Sequence, residues 1–142
     1  MAVHDVVQYI LSQTGPIPAM KLQKLIYYCQ AWSLVWEDRP LFRDEIEAWV
    51  NGPVVPRLYK LHRGLFEVSD WPHGDASHLN EADRSTIDAV LKFYGGKTSQ
   101  WLSDLTHQEK PWVEARKGLS LMERGSQEIT MASMLEYYSA LP

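Results

Sequence analysis

Two histidine-bearing stretches contain residue types that could carry acid–base or metal chemistry. His73, Asp75 and His78 lie close together in a glycine-containing loop, and imidazole and carboxylate groups are common zinc ligands. Their spacing matches no common zinc motif, so a solvated polar loop is the simpler interpretation. His107 follows Thr106 and could serve as a general base, but the sequence offers no partner to orient its ring. A small enzyme that uses His107 or the His73/His78 loop therefore stays open as an alternative.

Neither the single cysteine nor the one glycine–lysine sequence predicts catalysis. Cys29 has Leu25 and Trp32 as neighbours on a helical wheel, and burial there raises the pKa of a thiol and hides it from solvent. Residues 95–98, GGKT, imitate the end of a phosphate-binding loop, but Leu91 stands where that loop needs its first glycine. No serine triad or pair of carboxylates stands out. We therefore predict a protein that is not an enzyme and that needs no metal and no cofactor.

The stretch from Met20 to Trp36 is the helix around which the other elements must be arranged. At 100° per residue its apolar side chains cover about two thirds of the circumference, whereas a surface helix buries roughly a third. Such a helix needs neighbours on several sides, so we predict it at the centre of the domain. Its main apolar stripe consists of Leu22, Leu25, Ile26, Cys29, Trp32 and Trp36. The strip predicted to stay polar consists of Gln23, Gln30 and Glu37.

Apolar repeats at helical spacing, together with residues that start helices, predict further helices before and after this one. They cover about residues 3–13, 53–64, 80–94, 98–105, 111–117 and 130–141, and residues 53–56 open the second of these helices. The capping-box spacing of residues 106–109, THQE, also predicts a helix start at Thr106. The side chains predicted to face inward include Leu58, Leu61, Leu65, Trp101, Leu135 and Leu141.

One short extended segment interrupts the helices. Residues 45–50 alternate between apolar and polar or aromatic side chains, and Asn51-Gly52 makes a turn after them. A lone strand needs a partner, and the two available segments are residues 66–69 and 127–129. The predicted fold class is therefore mostly α. It is a compact single-domain helical bundle around a central hydrophobic helix, with a minor short β element, over residues 1–142.

The composition argues against several classes of function. The 142 residues carry a net charge of −4 and no basic block, which argues against a dedicated nucleic-acid binder. One cysteine precludes an internal disulfide, and neither a signal peptide nor a long apolar run is read. We therefore predict a cytoplasmic protein with no membrane partner. Six Trp and seven Tyr are many for this length, and such rings concentrate at protein–protein contacts.

Four blocks of the sequence resemble the Panacea-domain family of SocA-like antitoxins. In family order and spacing they read KLQKLIYYCQAWSLVW, RPLF, EIEAWVNGPVVPRLY and LSDLTHQEKPWVEAR. The resemblance runs from Val3 to nearly the C-terminus, and Cys29 stands where the family often has alanine. The matching positions are Lys21, Leu22, Gln23, Lys24, Leu25, Tyr28, Gln30, Trp49, Gly52, Pro53, Val54, Val55, Pro56, Leu105, Thr106, His107, Pro111 and Trp112.

The resemblance implies an antitoxin that is encoded beside a toxin, binds it and suppresses it. It also implies a compact, mostly helical domain without catalytic residues. A proteolytic adaptor that delivers the toxin to a AAA+ protease remains the alternative within the same family. We expect the partner to bind at the rigid turn near residue 52, because prolines and a short loop lower the entropy lost on binding. The predicted contact residues are Trp49, Asn51, Gly52, Pro53, Val54, Val55, Pro56 and Tyr59.

Overall fold

The computed structural model describes residues 2–142, and helices dominate this part of the chain. The helices are α1 (Ala2–Thr14), α2 (Ala19–Glu37), α3 (Pro56–His62), α4 (Glu81–Tyr94), α5 (Ser99–Thr106), α6 (Lys110–Ala115) and α7 (Met131–Ser139). The strands are β1 (Ile17–Pro18), β2 (Ile46–Trp49), β3 (Gly52–Val54), β4 (Glu67–Val68) and β5 (Glu128–Ile129). A short 3-10 helix, Ala76–His78, lies within the predicted loop. The mostly α class with a minor β element is confirmed.

Three of the predicted helix starts are confirmed and carry a local side-chain cap. The Asn80 side chain accepts a hydrogen bond from the backbone N–H of Asp83, and the Asp83 carboxylate accepts one from the N–H of Asn80. Thr98 and Thr130 cap α5 and α7 through their hydroxyl groups in the same way. Each cap satisfies N–H groups that a helix leaves unpaired in its first turn.

The helix α2 is the centre of the fold, as predicted. It packs against α4, α7 and α5 and against β3. Leu22, Leu25 and Cys29 have no exposed surface. The prediction is wrong for Trp36, which is 49% exposed. Trp36 lies in the last turn of the helix, beyond the packed core, where its ring stacks on Trp32 with centroids 5.1 Å apart.

The predicted polar strip of α2 is wrong for its two glutamines, which are buried. The Gln23 side chain accepts a hydrogen bond from the Val55 N–H (2.8 Å) and donates one to the Val55 carbonyl (3.3 Å). Gln30 accepts from the N–H groups of Leu41 and Phe42 and donates to the Phe42 carbonyl. Each amide thus pairs with backbone that crosses α2, and the two positions lie about two helical turns apart. The glutamines fasten these crossing segments to the helix.

The strands form two small sheets. β2 and β3 make an antiparallel hairpin in which Trp49 pairs with Gly52, and β5 pairs with the other edge of β2. Residues 127–129 are therefore confirmed as one partner of the predicted strand. The alternative, residues 66–69, is wrong because β4 pairs with β1 instead. The helix start predicted at residues 53–56 is wrong for residues 53 and 54, which lie in β3 and pair with β2. The order β3-β2-β5 places the loop before β5 beside the hairpin.

Several side chains that were predicted to face inward are exposed. Leu58 is buried, but Leu61 and Leu65 are 42% and 56% exposed, because α3 ends at His62 and contacts the core with one turn only. Trp101, Leu135 of α7 and Leu141, which lies beyond the end of α7, are also partly exposed. Periodicity identifies one helix face but does not show how much of that face its neighbours cover.

The predicted helix start at Thr106 is wrong. Thr106 is the last residue of α5, and its hydroxyl donates a hydrogen bond to the Ser103 carbonyl (2.7 Å) in the preceding turn. The next helix begins at Lys110, after Glu109. The capping-box spacing occurs here because α5 ends and α6 begins within four residues. Within residues 2–142, every helix is too short or too polar to cross a lipid bilayer.

Candidate partner-binding site

Two helices hold the turn of the β2–β3 hairpin in place. Val50 and Asn51 form its tip, and Gly52 follows with φ of +124°, a backbone region that favours glycine. A Cβ atom at Gly52 would lie 2.5 Å from Cε of Lys24 on α2. On the other side, the Ser103 hydroxyl of α5 donates a hydrogen bond to the Asn51 carbonyl (2.7 Å). The position of the turn is therefore set by both helices.

A groove of about 650 Å³ lies beside this turn. Four parts of the chain form its walls, namely the start of α2, the hairpin, α3 and the loop before β5. The groove is large enough for several side chains of a partner and has both apolar and polar walls. The side chains that line it include Met20, Trp49, Val50, Asn51, Tyr59 and Arg124.

Trp49 and Tyr59 form a fixed aromatic wall of the groove. Their ring centroids are 4.9 Å apart and the ring planes meet at 71°, an edge-to-face contact. The Trp49 indole N–H donates to the Glu47 carboxylate (2.9 Å), and the Trp49 carbonyl accepts from the Trp112 indole N–H (2.8 Å). Both rings are half-buried. Each has little freedom to lose when a partner binds.

The predicted contact residues divide into two groups according to their burial. Asn51 is exposed, and Trp49, Pro56 and Tyr59 are half-buried, so their side chains can reach a partner. The second group is buried and supports the turn from within; it consists of Gly52, Pro53, Val54 and Val55. Val55, one of the predicted contact residues, is 1% exposed and has its backbone paired with Gln23. The accessible group stays the predicted contact surface.

Arg116 holds the loop that completes the groove. Its buried guanidinium group donates to the Ala48 carbonyl of β2 (2.9 Å) and to the carbonyls of Ser120 and Glu123. Arg124, which lines the groove, comes directly after Glu123 in the sequence. Sequence reasoning missed Arg116 because its contact with Ala48 spans 68 positions. The available signal was an arginine at the end of a helix, where the side chain can reach unpaired carbonyls.

Lys24 is the other residue that sequence reasoning missed, and it lies beneath the turn. Its side chain is 1% exposed, and its Nζ atom has no hydrogen-bond partner among the described residues. Burial lowers the pKa of Lys24 to about 8. The sequence signal for a buried Lys24 was the wide apolar surface of α2, which leaves few solvent-exposed positions on the helix.

The histidines singled out for possible chemistry serve as packing and surface residues. The His107 ring stacks on Trp112 with centroids 4.2 Å apart, and burial, followed by the charge of Lys24, lowers the pKa of His107. His73 and His78 are exposed, and His78 lies 3.4 Å from the Asp5 carboxylate of α1. Among residues 2–142, no group of three histidine, cysteine, aspartate or glutamate side chains is placed to hold a metal ion.

Cys29 should react with a thiol reagent only when the protein unfolds. Its side chain has no exposed surface, and burial raises the pKa of the thiol, so very little reactive thiolate exists at neutral pH. We expect labelling of the native protein by a disulfide reagent to be at least about 100-fold slower than labelling in denaturant. Rapid labelling of the folded chain, with a melting temperature equal to that of the unlabelled protein, would contradict this burial.

Comparisons with known proteins agree in the kind of protein they indicate. The family described as "Antitoxin SocA-like, Panacea domain" matches residues 22–113, from α2 to α6. A relative from Caulobacter vibrioides (strain NA1000 / CB15N), "Antitoxin SocA", is 44% identical over 45 residues, which cover 32% of this chain and 24% of the relative. The chain thus matches about a quarter of that relative's length. No solved structure matches the chain.

Proposed function

This chain belongs to the Panacea-domain family of SocA-like antitoxins, and we propose that it neutralises a cognate protein toxin by binding it directly. The observation that carries the proposal is the family match over residues 22–113, which contains the hairpin and most of the groove. The acidic chain and its single buried thiol suit a protein partner in a reducing compartment, so we place the complex in the cytoplasm.

The groove beside the hairpin is the surface that we propose for the toxin. Trp and Tyr are enriched among the residues that dominate binding energy at protein–protein contacts, and here Trp49 and Tyr59 are held rigidly before a partner arrives. Glu47, Asn51 and Arg124 supply polar groups around the aromatic wall. A rigid aromatic centre with polar surroundings is the usual anatomy of a specific protein contact.

The test is co-expression with the toxin from the neighbouring reading frame, followed by pull-down and measurement of growth. Direct neutralisation predicts a stable complex together with growth rescue, in cells with and without the AAA+ protease. Rescue without a complex, with loss of the toxin only when that protease is present, would favour the adaptor alternative. Failure of the folded protein to rescue growth from any neighbouring toxin would remove the support for an antitoxin.

Alanine at Trp49 or Tyr59 should weaken toxin binding by at least about 30-fold, the effect of losing a dominant interface residue. The matched control is Trp36→Ala, because Trp36 is also a partly exposed tryptophan but does not line the groove. Binding is measured by calorimetry on variants whose melting temperatures show that they are folded. Affinities within twofold of the parent for both groove variants would place the toxin elsewhere on the protein.

A further inference from the structure

We propose that Lys24 binds a carboxylate side chain of the partner protein, an inference that rests on the direct toxin binding proposed above. The amine lies under the turn that forms one wall of the groove. A partner in the groove would therefore contact the hairpin turn, which covers the Lys24 amine, before it reached the amine itself. Lys24 would then supply the charge at the centre of the contact, and the aromatic wall would supply its apolar area.

The amine, one hydroxyl and the hairpin turn share a small buried space. A Cβ atom placed on Gly52 would lie 3.3 Å from Nζ of Lys24 and 3.1 Å from Oγ1 of Thr106. The Thr106 hydroxyl already donates to the Ser103 carbonyl, so it can only accept in this space, and the Lys24 amine is the donor that faces it. His107 follows Thr106, and its buried Nε2 atom is a second polar atom without a hydrogen-bond partner among the described residues.

No carboxylate within the described chain compensates the charge of Lys24. The ion pairs formed by residues 2–142 involve Arg39, Arg57 and His78. Burial alone accounts for the lowered pKa of Lys24, with no opposing charge to raise it. A buried ammonium group is unfavourable unless it is paired, so folded proteins normally supply a counter-charge. Here the described chain supplies no counter-charge, and a carboxylate of the bound partner would supply it.

The chemistry of the space fits a carboxylate better than a phosphate. A single ammonium group balances one negative charge, which is the charge of an aspartate or glutamate side chain. A phosphate group carries up to two charges and is usually bound by several cations or by a series of backbone N–H groups. The charge of Lys24 acts on the imidazoles of His62 and His107, and burial lowers the pKa of both. Lys24 is therefore the only cation at this position among the described residues.

The cover over the amine is a single turn, and a bound partner would have to displace it to reach Nζ. Asn51 is exposed and lines the groove, whereas Gly52 is buried against Lys24. On the α5 side the turn is fastened by the exposed hydrogen bond from Ser103 to the Asn51 carbonyl. A small rotation at Gly52, which lacks a side chain, would open the space between amine and groove. The carboxylate would then replace backbone as the neighbour of Nζ.

The decisive experiment compares the stability of each variant with its toxin affinity. We expect Lys24→Met to melt at the same or a higher temperature than the parent and yet to bind the co-encoded toxin at least tenfold more weakly. Lys24→Gln is the second variant if methionine prevents folding. Lys92→Met removes one exposed charge outside the groove and should leave the affinity within twofold. Unchanged or tighter toxin binding by a folded Lys24 variant overturns the inference, while the proposed function stands.

A second measurement does not depend on the toxin. Sodium formate is added to the protein in place of sodium chloride at constant ionic strength, and the NMR signal of the Lys24 side chain is followed. That signal is identified by its loss in Lys24→Met. A saturable shift with formate that exceeds the shift with inorganic phosphate supports a carboxylate site. A larger response to phosphate, or equal responses to formate and chloride, overturns it. If the parent protein binds no toxin, the proposed function fails and this titration alone decides the inference.

Discussion

Replacing Lys24 by methionine should raise the free energy of unfolding at pH 7 by up to about 3 kcal/mol, because a buried charge is removed and apolar contacts replace it. Burial lowers the pKa of Lys24 from 10.5 to about 8. A pKa difference of about 2.5 corresponds to roughly 3 kcal/mol at 1.36 kcal/mol for each pH unit. The measurement is denaturant unfolding of the variant and the parent in parallel.

The stability gain of Lys24→Met should depend on pH because the pKa of Lys24 is lower in the folded protein than in the unfolded chain. The folded protein favours the neutral amine, so the parent loses stability as the pH falls from 10.5 towards 8 and stays at that lower value below pH 8. The advantage of Lys24→Met should therefore be greatest at and below pH 8 and should vanish near pH 10.5. Lys92→Met, which removes an exposed charge, should show no such pH-dependent gain. A destabilised Lys24→Met at pH 7 would show that the amine has a stabilising partner.

Elements whose causes are local in sequence could be predicted. The apolar width of α2 fixes its central place, because a helix with so little polar surface must be covered on several sides. The starts of α4, α5 and α7 follow from Asn80, Thr98 and Thr130, each of which bonds a backbone N–H only three residues away. The turn after β2 follows equally from its own residues, Asn51 and Gly52. None of these features depends on how distant segments pack.

Features that depend on distant segments could not be predicted. Gln23 is polar, and only its contact with Val55, 32 positions later, makes it a buried residue. For the groove, the turn at Asn51 and Gly52 could be predicted, but the pairing of β3 with β2 could not. The wall around Arg124 could not be predicted either, because it depends on the contact of Arg116 with Ala48. The sequence contains these residue types but not the pairs that they form.

The second large effect concerns Glu109, whose buried carboxylate joins α2 to α7. Its Oε1 atom accepts hydrogen bonds from the hydroxyls of Tyr28 on α2 (2.7 Å) and Tyr138 on α7 (2.6 Å). The Tyr28 ring also stacks on Tyr94 of α4 with centroids 4.1 Å apart. One acidic side chain at the start of α6 therefore fixes the tyrosines between three helices.

Glu109→Ala should lower the free energy of unfolding by about 2–5 kcal/mol, because each buried hydroxyl that loses its acceptor costs about 1–3 kcal/mol. The Tyr138 hydroxyl keeps its contact with the Tyr27 hydroxyl (3.0 Å), so the effect at Tyr138 should be the smaller of the two. Denaturant unfolding at pH 7 measures the loss. A change below about 0.5 kcal/mol would show that water replaces the carboxylate without penalty.

Glu109→Gln is the matched control, because the amide oxygen can accept both hydroxyl hydrogen bonds without a charge. Burial raises the pKa of Glu109 above its ordinary value of 4.5, so the folded state favours the protonated acid. The contribution of this group to stability is therefore present below about pH 4.5 and is lost as the pH rises through the raised pKa. We expect Glu109→Gln to equal the parent in acid and to become the more stable protein towards neutral pH. If the parent is instead the more stable protein at pH 7, the ionised carboxylate gains more from its two tyrosine hydrogen bonds than it loses on burial.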